Sequence, residues 1–206
     1  MWDAEMLCKR PIMSDSVFPS FEPAIHVREN VEMRDDATLD LAVDFGFHNP
    51  FVCLWIRDDG VNCHVIDEYV QSQQVMSNHV EQIETRRYGE IQKICCDPAG
   101  ESRNDQTAES NIQYLKRRGY TVISRGSRIV DGLELIRTAL HPAIGLPTLF
   151  IHPNCKRTIA AMQQLRYPKE GGELPVKDGT HDHLIDAIRY FYVNRGRGKM
   201  EKPRRY

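Results

Sequence analysis

The sequence has no apolar run that approaches the roughly 20 residues a helix needs to cross a bilayer. Its first residues, Met1 to Glu5, lack the charged and then apolar pattern of a secretory signal. Internal repeats are absent, and the apolar fraction of 41% and charged fraction of 27% are ordinary for a globular protein. These features predict a cytoplasmic globular protein without a membrane span.

The six cysteines form no Cys-x-x-Cys pair, and no histidine pair follows at zinc-finger spacing. Reduced core thiols are therefore the expected state. The net charge of -2 also lacks the positive excess typical of nucleic-acid-binding proteins. An enzyme that holds metal ions places carboxylates in its site, however, and a local basic patch is enough to attract phosphates. The sum of charges does not exclude a nucleic-acid substrate.

Hydrophobic patterning predicts an α/β fold from residue 39 onwards. Residues 39–44, 51–56 and 61–70 form strands joined by short turns, as in an antiparallel meander. Helices and short strands then alternate, which favours parallel pairing. The order is helix 75–88, strand 91–96, helix 107–118, strand 120–123, helix 129–140, strand 149–151, helix 155–165 and helix 181–194. We expect a mixed sheet of five or more strands, ordered 3-2-1-4-5, with helices on both faces.

Carboxylates stand where two of these strands stop. Asp44 ends the first strand and Asp97 follows the fourth, and the order 3-2-1-4-5 places these strands side by side. The last helix carries Asp182 and Asp186 on one face, with His183 near the same side. Oxygen ligands suit Mg²⁺ and Mn²⁺, and two such ions about 4 Å apart activate water and stabilise the leaving oxygen in phosphodiester cleavage.

Each of these residues also has an ordinary interpretation. Asp97 precedes Pro98 and Gly100 and fits a simple turn. An aspartate pair is tolerated on a solvated face near a helix N-terminus, and His183 fits a surface position. Gly46, two residues after Asp44, is expected to leave room for a phosphate backbone. The ordered combination of strand, strand and helix carboxylates favours the metal-site interpretation.

Three motifs resemble the RNase H-like nuclease superfamily, and within it the nuclease domain of phage and herpesvirus terminase large subunits. They are Ala42-Val43-Asp44-Phe45-Gly46, Cys96-Asp97-Pro98-Ala99-Gly100 and Asp182-His183-Leu184-Ile185-Asp186-Ala187-Ile188-Arg189-Tyr190. The resemblance implies a two-metal endonuclease, using Mg²⁺ or Mn²⁺, that cuts concatemeric double-stranded viral DNA during packaging. Asp44, Asp97 and Asp186 would be catalytic metal ligands, with Asp182 and His183 as further ligands or supporting groups.

The chain departs from that family in having no Gly-x-x-x-x-Gly-Lys-[Ser/Thr] loop, which an ATPase motor needs. We expect an excised nuclease domain or a motor on a separate polypeptide. Residues 1–38 would be a linker or the tail of a motor, residues 39–194 the nuclease, and residues 195–206 a flexible basic tail. The implied partners are DNA, the motor, and a portal and small terminase subunit, in the cytoplasm of the infected host cell.

Basic residues near the predicted site are candidates for phosphate contact. Arg125 and Arg128 follow the fifth strand, and segment 167–180, a predicted β-hairpin or mobile loop, contains two lysines. The C-terminal tail adds arginines, and its contacts would be independent of DNA sequence. The full set of predicted DNA-binding residues is Arg125, Arg128, Lys169, Lys177, Arg195 and Arg197.

Two other functions stay open on the sequence alone. A Holliday-junction resolvase or a transposase shares the carboxylates and the fold, although the Asp-Ala-Ile-Arg-Tyr ending favours a terminase. A non-catalytic packaging or portal-docking module belongs to a different class. Clustered carboxylates without a metal repel one another, so a purely structural protein gains little by keeping them.

Overall fold

Strand β1 (Thr38–Asp44) lies inside a six-stranded sheet in a computed structural model that describes residues 15–102 and 109–195. The sheet order is β5-β4-β1-β2-β3-β6. The other strands are β2 (Phe51–Asp58), β3 (Cys63–Gln71), β4 (Ile91–Cys96), β5 (Val122–Ser124) and β6 (Leu149–Ile151). β2 is antiparallel to β1 and β3, whereas the β1–β4, β4–β5 and β3–β6 pairs are parallel. The predicted order 3-2-1-4-5 is confirmed, and the sixth strand extends it beside β3.

Helices cover both faces of this sheet, as expected. They are α1 (Pro23–His26), α2 (Met76–Thr85), α3 (Asn111–Arg117), α4 (Ile129–Leu140), α5 (Lys156–Gln164) and α6 (Asp182–Asn194), with a 3-10 turn at Pro98–Glu101. Buried side chains of α2 and α3 pack on one face, and those of α4, α5 and α6 pack on the other. None of the helices in the described ranges is long and apolar enough to span a membrane.

Strand β1 supplies both faces because its side chains alternate. Leu41 and Val43 join the cluster under α2 and α3, whereas Ala42 joins the cluster under α6. Burial on both faces explains why β1 and β2 have nearly continuous apolar runs rather than a half-polar alternation. Alternation also places Asp44 on the side of α6, where the candidate site lies.

Residues 15–28, here called the strap, lie within the predicted linker 1–38 and pack against the domain. Val17 and Phe18 are buried in the cluster under α4–α6, and the Val17 amide donates a hydrogen bond to the Leu165 carbonyl at 3.1 Å. Further along, Val27 bridges Ile151 and so covers the outer edge of β6. Scattered apolar residues in an irregular segment have no periodicity, which is why the sequence pattern suggested a linker. Residues 1–14 lie outside the described ranges.

The end of α6 is tied to the end of β2 by a bidentate ion pair. Arg195 donates from Nε and Nη2 to the two carboxylate oxygens of Asp58, at 3.0 and 2.7 Å. Both side chains are largely buried, with 17% and 9% of their surfaces exposed. Because β2 is antiparallel to β1, Asp58 lies at the opposite edge of the sheet from Asp44. The first residue of the predicted basic tail is therefore part of the folded domain.

Glu68 on β3 caps helix α5 from outside the helix. Its carboxylate accepts hydrogen bonds from the amides of Arg157 and Thr158, at 2.9 and 2.8 Å, and from the Thr158 hydroxyl at 2.7 Å. The helix has no side-chain cap of its own at Cys155. We expect Glu68→Ala to lower the free energy of unfolding by about 1–2 kcal/mol, because the two amides at the helix N-terminus lose their hydrogen-bond acceptor.

Urea denaturation of Glu68→Ala beside Glu81→Ala measures this contribution. Glu81 is an exposed residue of α2 and serves as the matched loss of a surface carboxylate. Equal stability of the two variants would show that the Glu68 cap contributes nothing.

Candidate metal centre

The carboxyl ends of two adjacent parallel strands bring Asp44 and Asp97 to one edge of the sheet. Asp44 is the last residue of β1, and Asp97 directly follows β4. The register pairs Val43 with Cys96, so the two aspartates occupy neighbouring positions. This adjacency is the one predicted from the strand order. Carboxylates on strand ends converge without depending on long loops.

The first turns of α6 add three more polar side chains at the same edge. His183 reaches across to β1, and its Nδ1 is hydrogen-bonded to Oδ2 of Asp44 at 2.8 Å. Asp186 is close enough to raise the pKa of Asp44 by charge repulsion. Helix α6 thus places His183 and Asp186 beside the strand carboxylates, and Asp182 lies next to His183 in the first turn of the helix.

The carboxylates of the centre lie close together, and burial makes their negative charges energetically unfavourable. Asp44 is only 7% exposed. Burial, with repulsion from Asp186 and Asp97, raises the pKa of Asp44 to about 6, although its hydrogen bond to His183 opposes the rise. That hydrogen bond raises the pKa of His183, and the charges of Asp44, Asp182 and Asp186 add to the effect. A bound cation would relieve this repulsion.

Asp97 has the turn role that its sequence position allowed, and it also contacts α6. Its Oδ1 accepts the Ala99 amide at 3.0 Å and caps the 3-10 turn. Its Oδ2 accepts the Tyr190 hydroxyl of α6 at 2.9 Å. Burial, followed by repulsion from Asp186 and Asp44, raises the pKa of Tyr190, so this hydroxyl keeps its proton and remains a donor. Tyr190 therefore fixes the direction of the Asp97 carboxylate.

Arg189 performs the same task for Asp186. Its Nε donates to Oδ1 of Asp186 at 2.9 Å, and the Arg189 side chain is only 6% exposed. Space for the arginine comes from Gly132 of α4, where an added Cβ would lie 2.3 Å from Cγ of Arg189. Neither Arg189 nor Tyr190 was assigned a role from the sequence. The signal was present in their spacing, three and four residues after Asp186, which returns them to the same face of the helix.

Asp182 has a carboxylate oxygen that lacks a partner within the described ranges. Its Oδ1 is buried and accepts no hydrogen bond, and burial raises the pKa of Asp182. Asp182, Asp186 and Lys177 are the charged residues of a cavity of about 200 Å³ that is otherwise lined by apolar side chains of α4, α6 and the preceding loop, and Asp44 and Asp97 do not line it. An unsatisfied buried carboxylate oxygen is costly unless a cation or water completes it. The donor set therefore fits a hard divalent ion.

The carboxylates of the centre are hydrogen-bonded to neighbouring protein groups and do not form a preformed set of metal ligands. Within the described ranges, no group of three or more histidine, cysteine, aspartate or glutamate side chains is arranged so that it could hold a metal ion as it stands. Asp44 and Asp186 are each engaged through one oxygen, by His183 and Arg189, whereas Asp97 is engaged through both, by the Ala99 amide and Tyr190. Each contact neutralises or orients a carboxylate that would otherwise repel its neighbours. Ion binding would require these side chains to rotate.

The predicted phosphate-binding residues do not all lie at this edge. Arg125 follows β5 there and is exposed, and Arg128 is exposed while paired with Asp131 at 2.8 Å. The lysines of segment 167–180 are exposed too. Arg195 is held at the opposite edge by Asp58, and Arg197 lies outside the described residues. DNA contact by these residues stays a prediction.

Segment 167–180 forms no β-hairpin; of the two forms predicted for it, the loop is the one present. The segment is irregular, with Gly171 and Gly172 at positive φ. Pro168 and Pro175 supply no amide for a strand ladder, which explains the absence of a paired strand. One amide, that of Val176, donates back to the Arg166 carbonyl at 2.9 Å.

Gly46 serves the loop rather than leaving space for a phosphate. A Cβ at Gly46 would lie 2.5 Å from the backbone oxygens of Asn49 and Pro50. The chain between β1 and β2 therefore folds back tightly over this glycine. The expectation from the sequence was wrong about the reason, because the space is already occupied by the chain itself.

No protein-family model and no curated protein matches the chain, but solved structures do. The large terminase of a thermophilic bacteriophage aligns with a TM-score of 0.72 and 22% identity, over 87% of this chain and 45% of that chain. The P22 large terminase nuclease domain aligns with a TM-score of 0.68 and 16% identity, over 88% and 92% of the two chains. The chain has the fold of a large-terminase nuclease domain. The RNase H-like fold expected from the motifs is thereby confirmed.

Structures with bound metal ions are among those that align with this chain. The large terminase nuclease of a second thermophilic phage, G20c, solved with bound magnesium, aligns with a TM-score of 0.63 and 16% identity over 88% of this chain and 98% of that one. The same nuclease has also been solved with bound cobalt. The present chain spans about 45% of the first of these large terminases, the one that aligns with 22% identity.

Proposed function

We propose that this domain is a divalent-metal-dependent endonuclease that cuts double-stranded viral DNA during genome packaging. The observation that carries the proposal is the convergence of Asp44, Asp97 and Asp186 at one edge of a sheet with the terminase nuclease fold. Support for the metal comes from the unpartnered oxygen of Asp182 and from the G20c nuclease with bound magnesium.

Two Mg²⁺ or Mn²⁺ ions, when bound, would supply an activated water and charge stabilisation for the leaving oxygen. Asp44, Asp97 and Asp186 would hold them, with Asp182 as an additional ligand. Tyr190 and Arg189 orient the Asp97 and Asp186 carboxylates through the oxygens that they already engage. His183 keeps Asp44 in place through Nδ1, and its raised pKa favours the protonated ring that balances the acidic cluster.

We further propose that an ATPase motor, on the same or another polypeptide, works with this domain in the host cytoplasm. The bacteriophage large terminase of which this chain spans 45% was also solved in complex with ADP. A portal and a small terminase subunit are the other proposed partners. The nuclease unit would include the strap, because Val17 and Phe18 complete its core.

A panel of DNA substrates distinguishes the proposed function from the alternative functions. The purified chain is incubated with supercoiled plasmid, linear duplex and a four-way junction, each with Mg²⁺, Mn²⁺ or EDTA. We expect metal-dependent nicking and linearisation of plasmid with little sequence preference. Preferential cutting of the junction would favour a resolvase, and a folded chain that cuts none of these with either metal would favour a docking module.

Tyr190→Phe tests the supporting contact to Asp97. We expect activity to fall by about 10–100-fold, as is typical when a group that orients a metal ligand is removed. Tyr69→Phe is the matched control, because its hydroxyl is hydrogen-bonded to His79 at 3.1 Å in the cluster under α2 and α3. Initial rates at varied Mn²⁺ concentration provide the readout. If Tyr190→Phe and Tyr69→Phe have equal rates, Tyr190 has no role in positioning Asp97.

A further inference from the structure

An exposed aromatic ring lies at the carboxylate edge without a structural role that explains it. Phe47, three residues after Asp44, is 52% exposed in the 45–50 loop that joins β1 to β2. Its ring meets His48 edge-on, with centroids 5.2 Å apart. By contrast, Phe45 and Phe51 pack into the cluster under α2 and α3. Single exposed apolar side chains are common on protein surfaces, so exposure alone does not indicate a binding site.

The backbone around Phe47 is held by a hydrogen bond and by close contacts within the loop. The carbonyl of Phe47 accepts the Gln73 amide at 2.7 Å. Gln73 adopts φ +58°, and within the described ranges it is the one non-glycine residue at positive φ. On the other side, Gly46 fits against the Asn49 and Pro50 carbonyls with no space for a side chain. These contacts fix the backbone that carries Phe47, so the point from which the ring extends is set by the loop, and only the side-chain rotation has to be ordered on binding.

The surroundings of Phe47 favour a nucleobase as the group that covers it. The loop follows Asp44 at the carboxylate edge, and Arg125 is exposed after β5, two strands away from β1 at the same edge. Cationic side chains contact phosphates, whereas the flat apolar surfaces of a nucleic acid are its bases. Every base has a face that stacks on an aromatic ring, and phenylalanine also enters DNA between unstacked base steps.

We propose that Phe47 stacks on a nucleobase that becomes unstacked beside the scissile phosphate; this rests on the proposed nuclease function. The contact gives the enzyme a preference for DNA that opens easily, such as gapped duplexes and TA or CA/TG steps, without reading base edges. It also fixes the strand relative to the carboxylates, because the 45–50 loop is continuous with β1.

The test measures DNA binding in a chain from which cleavage has been removed. In an Asp44→Asn background, the affinity for a labelled gapped duplex is measured by fluorescence anisotropy at several salt concentrations. We expect Phe47→Ala to weaken binding by about tenfold, Phe47→Trp to restore it, and Phe47→Leu to restore little. The Phe47 variants should keep the salt dependence of the parent, because no charge is removed, whereas Arg125→Ala should reduce the slope. A 2-aminopurine base at the gap should be quenched by the parent and by Phe47→Trp.

Other results would overturn the proposal. Parent-like affinity and quenching in Phe47→Ala, or full rescue by Phe47→Leu, would show that the ring does not stack on a base. If the unmutated chain cuts no DNA with Mn²⁺ while the Phe47 variants still alter binding, the nuclease function is contradicted and the stacking contact is not. Because the Phe47 ring is 52% exposed and its one aromatic contact within the described ranges is with His48, thermal unfolding of Phe47→Ala should match that of the parent. A destabilised variant is replaced by Phe47→Leu and Phe47→Trp, whose contrast carries the same test.

Discussion

Asp44→Asn is expected to lower the rate of metal-dependent plasmid cleavage by on the order of a thousandfold or more. A metal ion supplies several kcal/mol of transition-state stabilisation, and each 1.36 kcal/mol is a factor of ten in rate. The amide keeps the shape of the side chain and a contact to His183 but removes the charge that attracts the ion. The buried position of Asp44, between two strands and α6, allows no neighbouring carboxylate to replace it.

The metal-free stability of Asp44→Asn separates a lost ligand from a lost fold. Burial raises the pKa of Asp44 to about 6, so the ionised carboxylate is unfavourable in the folded chain above that pH. We expect the metal-free variant to unfold at or above the temperature of the parent at pH 8, while its activity is lost. Asp35→Asn, at an exposed turn, is the control for loss of one negative charge. Retained cleavage by Asp44→Asn would contradict the assigned centre.

Arg195→Ala is expected to lower the free energy of unfolding by about 3 kcal/mol, since removal of one partner leaves a buried charge uncompensated. Asp58 is held by two hydrogen bonds from Arg195, and both side chains are mostly buried. Urea denaturation of Arg195→Ala beside Arg125→Ala measures the effect, because Arg125 is an exposed arginine. The double variant Arg195→Ala/Asp58→Ala should lose less than the sum of the single variants, as coupled pairs do.

The same variants decide what Arg195 contributes to DNA binding. If Arg195 acts through Asp58 alone, folded Arg195→Ala keeps the affinity of the parent for duplex DNA. Weakened binding with unchanged stability would instead favour the phosphate contact predicted from the charge pattern of the tail. Equal stability of Arg195→Ala and Arg125→Ala would show that the ion pair does not hold the end of α6.

The carboxylate edge was predictable because its determinants are local. Asp44 and Asp97 each end an apolar run, and strand order follows from short turns and right-handed crossovers. Helical spacing then brings Asp182, His183 and Asp186 to the same side. The pairing of Val43 with Cys96 and the His183–Asp44 contact agree with that reasoning.

The missed features depend on partners that are distant in sequence. The sixth strand pairs with β3, and Val17 packs under α4–α6. Both arrangements depend on tertiary contacts that leave no periodic pattern in the local sequence. Asp58 looked like a turn residue and Arg195 like a tail residue, because nothing in the sequence pairs positions 137 apart. The need for Gly132 becomes clear only when Arg189 is seen against it.

Isothermal titration of the metal-free chain with Mn²⁺ tests the metal centre most directly, since it requires neither DNA nor a motor. We predict two ions bound per folded chain, with at least one site lost in Asp44→Asn and in Asp186→Asn and none lost in Asp35→Asn. A folded parent that binds no Mn²⁺, or aspartate variants that bind it as the parent does, would contradict a metal centre built from these carboxylates.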